Sequence, residues 1–102
     1  MEQLHLSLVE KINNDLSIDR KLQDKIFVIE DQDGKTLRGT LQRVVCDMEH
    51  MRYRVAILTS PDLVLGTVTI ITPQMFERAI LPLYQQFCEN RTIFDHIRLH
   101  FS

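Results

Sequence analysis

Apolar residues recur at two different periods along this chain, and the change of period marks out its elements. Leu4, Leu8, Ile12 and Leu16 stand four residues apart, with Val9 beside them, while Glu2, Glu10, Lys11, Asn14 and Asp15 fill the other positions. That spacing predicts an amphipathic helix over about residues 2–16. A lone helix of this length is marginal in water, so its stripe must pack on the rest of the chain or on a partner. Ser17 to Asp24 reads as a polar connector with Ile18 as its apolar anchor and Leu22 as a second candidate.

From Lys25 to Ile71 the period becomes that of strands. Ile26-Phe27-Val28-Ile29 is a continuous β-branched and aromatic run, which predicts a strand buried on both faces. Asp31-Gln32-Asp33-Gly34 follows, and its Asp-Gly supplies the positive φ of a tight hairpin, so the next strand should pair back antiparallel. In that strand, Lys35 to about Cys46, Leu37 and Leu41 share one face, and Thr36, Arg38, Thr40 and Gln42 the other. The phase then slips into Val44-Val45-Cys46, which predicts a bulge or sharp bend. After a turn at Asp47–His50, Met51, Tyr53, Val55 and Ile57 alternate with Arg52, Arg54 and Ala56. Ser60-Pro61-Asp62 reads as a turn, and Leu63 to Ile71 as a fourth strand whose Gly66 invites a close backbone approach.

Thr72-Pro73 has the chemistry of a helix start, a side-chain cap followed by proline at the first helical position. Met75, Phe76, Ala79, Ile80, Leu83 and Phe87 then form a wide apolar face. Pro82 lies inside this helix, and its missing N–H predicts a kink near Arg78–Leu81. In the last segment Ile97, Leu99 and Phe101 alternate with Arg98 and His100, which favours a short closing strand; Ile93, Ile97 and Phe101 also fit helical spacing. The expected fold is a single α+β domain over residues 1–102: N-terminal helix, four-stranded antiparallel β-meander, second helix and short C-terminal strand, with the helices on one face of the sheet.

Composition narrows the function classes. The formal net charge of -2 argues against a surface given over wholly to nucleic acid or anionic membrane. No apolar run reaches the roughly 20 residues of a bilayer span, and Met1-Glu2-Gln3 lacks the basic start of a signal peptide. The expected compartment is the cytoplasm, where Cys46 and Cys88 behave as small buried thiols rather than a disulfide framework.

Reaction chemistry finds little support in the residue pattern. Cys46-x3-His50 and His96-x3-His100 have metal-ligand residue types, but on a strand the two later histidines stand about 13 Å apart, so no metal is expected. The serines have no nucleophile-elbow context. Asp47 beside Cys46 disfavours a thiolate, and three scattered glycines form no phosphate cradle. A non-enzymatic reading without cofactors follows.

Two surfaces remain as candidates for binding. Arg38, Arg52 and Arg54 have the alternation of an outward strand face, suited to an acidic protein segment or phosphates; the lack of interleaved aromatics there disfavours single-stranded nucleic acid. The stripes carried by Leu4, Leu8 and Ile12, and by Phe76, Ile80 and Leu83, offer more apolar surface than one small sheet face obviously needs. The surplus points to a protein partner or to a homodimer.

Asp33-Gly34-Lys35, Arg38-Gly39-Thr40-Leu41 and Leu65-Gly66-Thr67-Val68-Thr69-Ile70 resemble Sm-like proteins, which also place a helix before a strongly bent meander. The resemblance covers about half the chain. It implies a small barrel and RNA as the alternative ligand. Ile71-Thr72 stands where that family has Arg-Gly, and the family's Asp/Asn pair has no aligned match, so its RNA-contacting residues do not carry over.

Overall fold

The computed structural model describes residues 3–59 and 66–101, with residues 92–101 described by their backbone alone. Helix α1 spans Leu6–Ile18 and α2 spans Arg20–Gln23. Four strands follow, β1 Ile26–Glu30, β2 Thr36–Asp47, β3 Arg52–Leu58 and β4 Thr67–Ile71, in one antiparallel sheet of order β1-β2-β3-β4. The chain then enters a helix: α3 Pro73–Met75, a π-helical turn Phe76–Ile80, and α4 Leu81–Phe101. The α+β order of helix, four antiparallel strands and helix is therefore as its spacing predicts. The predicted turn at Ser60-Pro61-Asp62 and the first residues of the predicted fourth strand, Leu63 to Leu65, lie outside the described residues. Among the described residues, no helix is long and apolar enough to cross a membrane.

The C-terminal strand is a correction. Residues 97–101 continue α4 to Phe101, so the i+4 spacing of Ile93, Ile97 and Phe101 prevails over the alternation. The reason lies upstream, at Pro82. A regular α-turn would set its ring against the carbonyl of Arg78. The chain instead widens to a π-turn over Phe76–Ile80, closed by the Leu81 N–H donating to the Phe76 carbonyl. The proline is absorbed and the helix runs on. The predicted disturbance is present, displaced toward the N-terminus of Arg78–Leu81. Thr72 caps the start, its hydroxyl accepting from the Met75 N–H at 3.2 Å.

Strand β2 governs the sheet. Its first half pairs with β1, Ile26 opposite Thr40 to Glu30 opposite Thr36. Its second half pairs with β3, and the register shifts between Leu41 and Arg43, where the phase slip predicts a bulge. The bend brings the two edges of the sheet together. The Gln32 N–H, just beyond β1, donates to the Ile70 carbonyl of β4 at 2.9 Å. Asp31 adds a second tie: Oδ1 accepts from the Asp33 and Lys35 N–H groups, and Oδ2 accepts from the Thr69 hydroxyl at 3.3 Å. Gly34 supplies the hairpin's positive φ, at +84°. At Gly39 a Cβ would collide with the Leu58 carbonyl, so β2 and the end of β3 cross more closely than a side chain permits. Gly66 is a milder case, a Cβ there meeting the Ile57 carbonyl at 3.2 Å.

Beyond Thr40, β2 has lost β1 as a neighbour, and α1 takes its place. The Asn13 side chain donates to the Val44 carbonyl at 2.7 Å and accepts from the Val44 N–H at 2.9 Å. One side-chain amide thus does the work of a missing strand and blunts an open edge.

The core lies on the inner face. Phe27, Ile29, Val44, Tyr53, Val55, Ile57 and Ile71 meet Ile12 and Leu16 of α1, Leu22 of α2, and Phe76 and Ile80 of the π-turn. Phe76 stacks on Tyr53 with ring centroids 4.2 Å apart. Tyr53 Oη accepts from the His5 N–H at 2.9 Å, which seats the start of α1. Two local expectations change here. β1 is buried on one face only, with Ile26 and Val28 exposed, because every helix packs on the inner side. The connector's anchor is Leu22, fully buried, whereas Ile18 is 71% exposed; Asp19 caps α2 by accepting from the Lys21 and Leu22 N–H groups.

Replacing Asn13 strands both backbone groups of Val44. Asn13→Ala is expected to lower stability by about 2–3 kcal/mol, since each buried unpaired group costs about 1–3 kcal/mol. Asn13→Asp keeps the acceptor but sets a carboxylate oxygen against the Val44 carbonyl, so it should also fall below the native chain. Urea unfolding followed by far-UV circular dichroism measures both.

Candidate functional site

Six of the residues that sequence spacing offers for binding belong to helical stripes, and these stripes serve the chain's own core. Leu4, Ile12, Phe76 and Ile80 are buried, and Leu8 and Leu83 are partly buried against the same cluster. Their surplus is taken up by the curl of the sheet, which offers the helices a deeper surface than a flat meander would.

The arginines do face outward, on the side of the sheet that no helix covers. Arg54 stands between Val45 of β2 and Ile70 of β4; Ala56, one step along, stands between Arg43 and Val68; Arg52 is opposite Asp47. Arg38 is opposite Val28 of β1, on the far side of the bulge. It does not join Arg52 and Arg54 in one cluster.

Asp47 organises the near end of this face. Its side chain is 10% exposed and pairs with Arg52 Nε at 3.1 Å, with His50 Nδ1 at 3.0 Å and, more distantly, with Arg54 Nη2 at 3.9 Å. Its Oδ1 also accepts from the His50 N–H at 3.3 Å, which shapes the β2–β3 turn. In that turn Met51 holds a left-handed φ of 51°. Desolvation of the Asp47 carboxyl works to raise its pKa. The Arg52 hydrogen bond, and the His50 N–H and ring, outweigh it and hold the group below its ordinary value. Arg52 is therefore spent on the fold. Among the described residues Arg38 and Arg43 have no ion pair, and Arg54 has only the long one.

Aliphatic side chains lie between these arginines. Val45 is 41% exposed and Val68 68%, with Val28 and Ile26 continuing the exposure past the bulge. No aromatic side chain occurs on the outer face of the described strands. Arg43 was passed over by the alternation argument because it sits at the phase slip; its pairing with Ala56 places it on the outer side.

A second polar cluster joins α1 to α4. Asp15, set among the polar positions by helical spacing, is buried. Its Oδ2 accepts from the Tyr84 hydroxyl at 2.6 Å and its Oδ1 from Arg91 Nη1 at 3.1 Å. The Arg91 guanidinium also lies over the Phe87 ring, 5.0 Å from its centroid. Burial, and then donation to Asp15, push the Tyr84 phenol far above its ordinary range. Both carboxylate oxygens are thus engaged within the chain, and the cluster works as a latch between helices. A cleft of about 840 Å³ opens beside it, lined by His5, Lys11, Tyr84, Cys88 and Arg91 among others.

Cys46 and His50 do not converge on one site. Cys46 lies against the core while His50 turns to Asp47, and the side chains of His96 and His100 lie outside the described set. Among the described residues no group of three His, Cys, Asp or Glu could hold an ion. Nor do the comparisons with known proteins add a role: no family model, curated protein or solved structure matches this chain.

Two outcomes test this account of the charged groups. Tyr84→Phe should cost about 1.5–3 kcal/mol, the usual range for a hydrogen bond to a charged partner, read from urea unfolding. Because the Asp47 carboxyl is held below its ordinary value, its contribution to stability is complete above the unfolded-state pKa, near 3.9. That contribution is lost as pH falls through the lower folded-state value. A stability profile from pH 6 downward should show this acid loss, and Asp47→Asn should flatten that part of it.

Proposed function

We propose that this chain is a small non-enzymatic binding protein of the cytoplasm, acting through protein–protein contacts as an adaptor, chaperone-like or regulatory subunit. The observation that carries the reading is the outer face of the sheet. Both helical layers lie on the inner side, and the outer side keeps Val45, Val68, Val28 and Ile26 between 41% and 68% exposed. An antiparallel sheet that simply faces water alternates apolar-in with polar-out; apolar residues on both faces suit a surface that a partner completes. The satisfied polar groups point the same way. Among the described residues no buried side-chain nitrogen or oxygen lacks a partner, and the Asp15 latch is saturated. Cys46 and Cys88 are not joined in a disulfide, which agrees with a reducing compartment.

A second reading, a small-barrel RNA-binding protein, has one observation in its favour. The sheet curls until Gln32 meets β4, and Arg38, Arg43, Arg52 and Arg54 face outward. Against it, the outer face has valines where stacking rings would serve single-stranded bases.

Formaldehyde crosslinking in the native cells, followed by untagged purification with and without nuclease, separates the two. Discrete protein adducts that survive nuclease are expected. Adducts that vanish with nuclease, or an uncrosslinked protein, would overturn the protein-binding reading.

A further inference from the structure

We infer that the outer face of β2, β3 and β4 docks an acidic amphipathic segment of another protein, its carboxylates meeting Arg43 and Arg54 and its apolar side chains covering Val45, Val68 and Ile70. This rests on the protein-binding reading and names the surface and the class of partner.

The argument is one of charge and spacing. Across the strands the outer face reads Val45, Arg54, Ile70 in one row and Arg43, Ala56, Val68 in the next. Neighbours in a row are about 5 Å apart, and rows along a strand about 7 Å. A cation therefore lies within one residue's reach of every aliphatic side chain. Among the described residues the only carboxylate on this part of the sheet is Asp47, and Arg52 and His50 already occupy it. Arg43 has no partner among the described residues, and Arg54 is 3.9 Å from Asp47 with its side chain 55% exposed. Two cations thus remain to be neutralised.

A second copy of the chain fits poorly. Stacking this face on itself would set Arg43 and Arg54 against the same arginines, and like charges across an interface are costly. A highly charged polyanion fits the cations but leaves the aliphatic positions wet. An acidic segment with apolar anchors satisfies both sets. Arg suits carboxylates in particular, since its planar fork bonds them bidentately.

The test uses the full chain and three fluorescein-labelled probes. One is a synthetic amphipathic peptide of Glu with Leu and Phe anchors. The second has Lys in place of every Glu. The third is a single-stranded oligouridylate. Fluorescence anisotropy is read at low and high salt, and amide chemical shifts locate the bound probe. The acidic peptide should bind alone among the three. Its affinity should fall at least about tenfold, 1.4 kcal/mol, in high salt and in Arg43→Glu/Arg54→Glu, with shifts confined to β2–β4.

Since Arg54→Glu places a carboxylate near Asp47, Arg43→Glu/Val68→Lys serves as the second variant, and melting curves verify that each is folded. Three results would overturn the inference: oligouridylate binding in place of the peptide, shifts centred on the α1–α4 cleft, or no binding of the acidic peptide. The cellular crosslinking keeps the two levels apart. Protein adducts that persist in the folded variants would remove this surface and leave the protein-binding reading intact.

Discussion

The bend of β2 at Leu41–Arg43 is the constraint on which the rest of the structure depends. A straight strand of the twelve residues Thr36–Asp47 would reach about 40 Å, too long for one face of a small core. The bulge divides it into two halves with different neighbours, β1 on one side and β3 on the other. From that division follow the curl of the sheet, the approach of Gln32 to Ile70, and the enclosed inner side that Phe76, Tyr53 and Ile12 fill. Gly39 is part of the same device: the crossing with the end of β3 leaves no space for a Cβ.

A divided strand and the turns at its ends leave backbone groups without ladder partners, and polar side chains meet these needs. Asn13 pairs with Val44 where β1 no longer runs. Asp31 holds the β1–β2 turn against β4, and Asp47 shapes the β2–β3 turn. Each of these bonds adds little on its own, about 1 kcal/mol net. Leaving the same groups buried and unpaired would cost considerably more. Asn13 thus repairs a consequence of the bulge, while Asp31 and Asp47 close the turns at the two ends of β2.

Local features were legible in the sequence and long-range ones were not. The Asp-Gly hairpin, the Thr-Pro helix start, the phase slip and the alternation in β3 are decided within a few residues, and each stands where spacing puts it. Asn13 and Asp15 carry no such signal. Their partners, Val44, Tyr84 and Arg91, are between 31 and 76 residues away, and helical spacing alone counts such residues as solvent-facing. The closing strand failed for a related reason. Alternation over five residues was weighed against the helical spacing of Ile93, Ile97 and Phe101, and the π-turn that lets the helix run on past Pro82 is a matter of packing through Phe76 and Ile80. The apolar stripes of the two helices looked like a surplus because a one-dimensional pattern cannot show how deep a surface the curled sheet offers them.

The same curl accounts for the exposed valines. On the inner face, curvature draws side chains together, and Val44, Val55 and Ile71 are fully buried. On the outer face it spreads them apart, so Val45, Val68 and Ile70 cannot shelter one another as residues on a flat sheet partly do. No element of the described chain crosses that side. The long stems of Arg43 and Arg54 can lie across part of this surface while their charged ends reach water. That arrangement reduces the cost of exposure in the free protein, and it leaves the guanidinium groups at the rim of an apolar surface, where a carboxylate-bearing partner would meet them first.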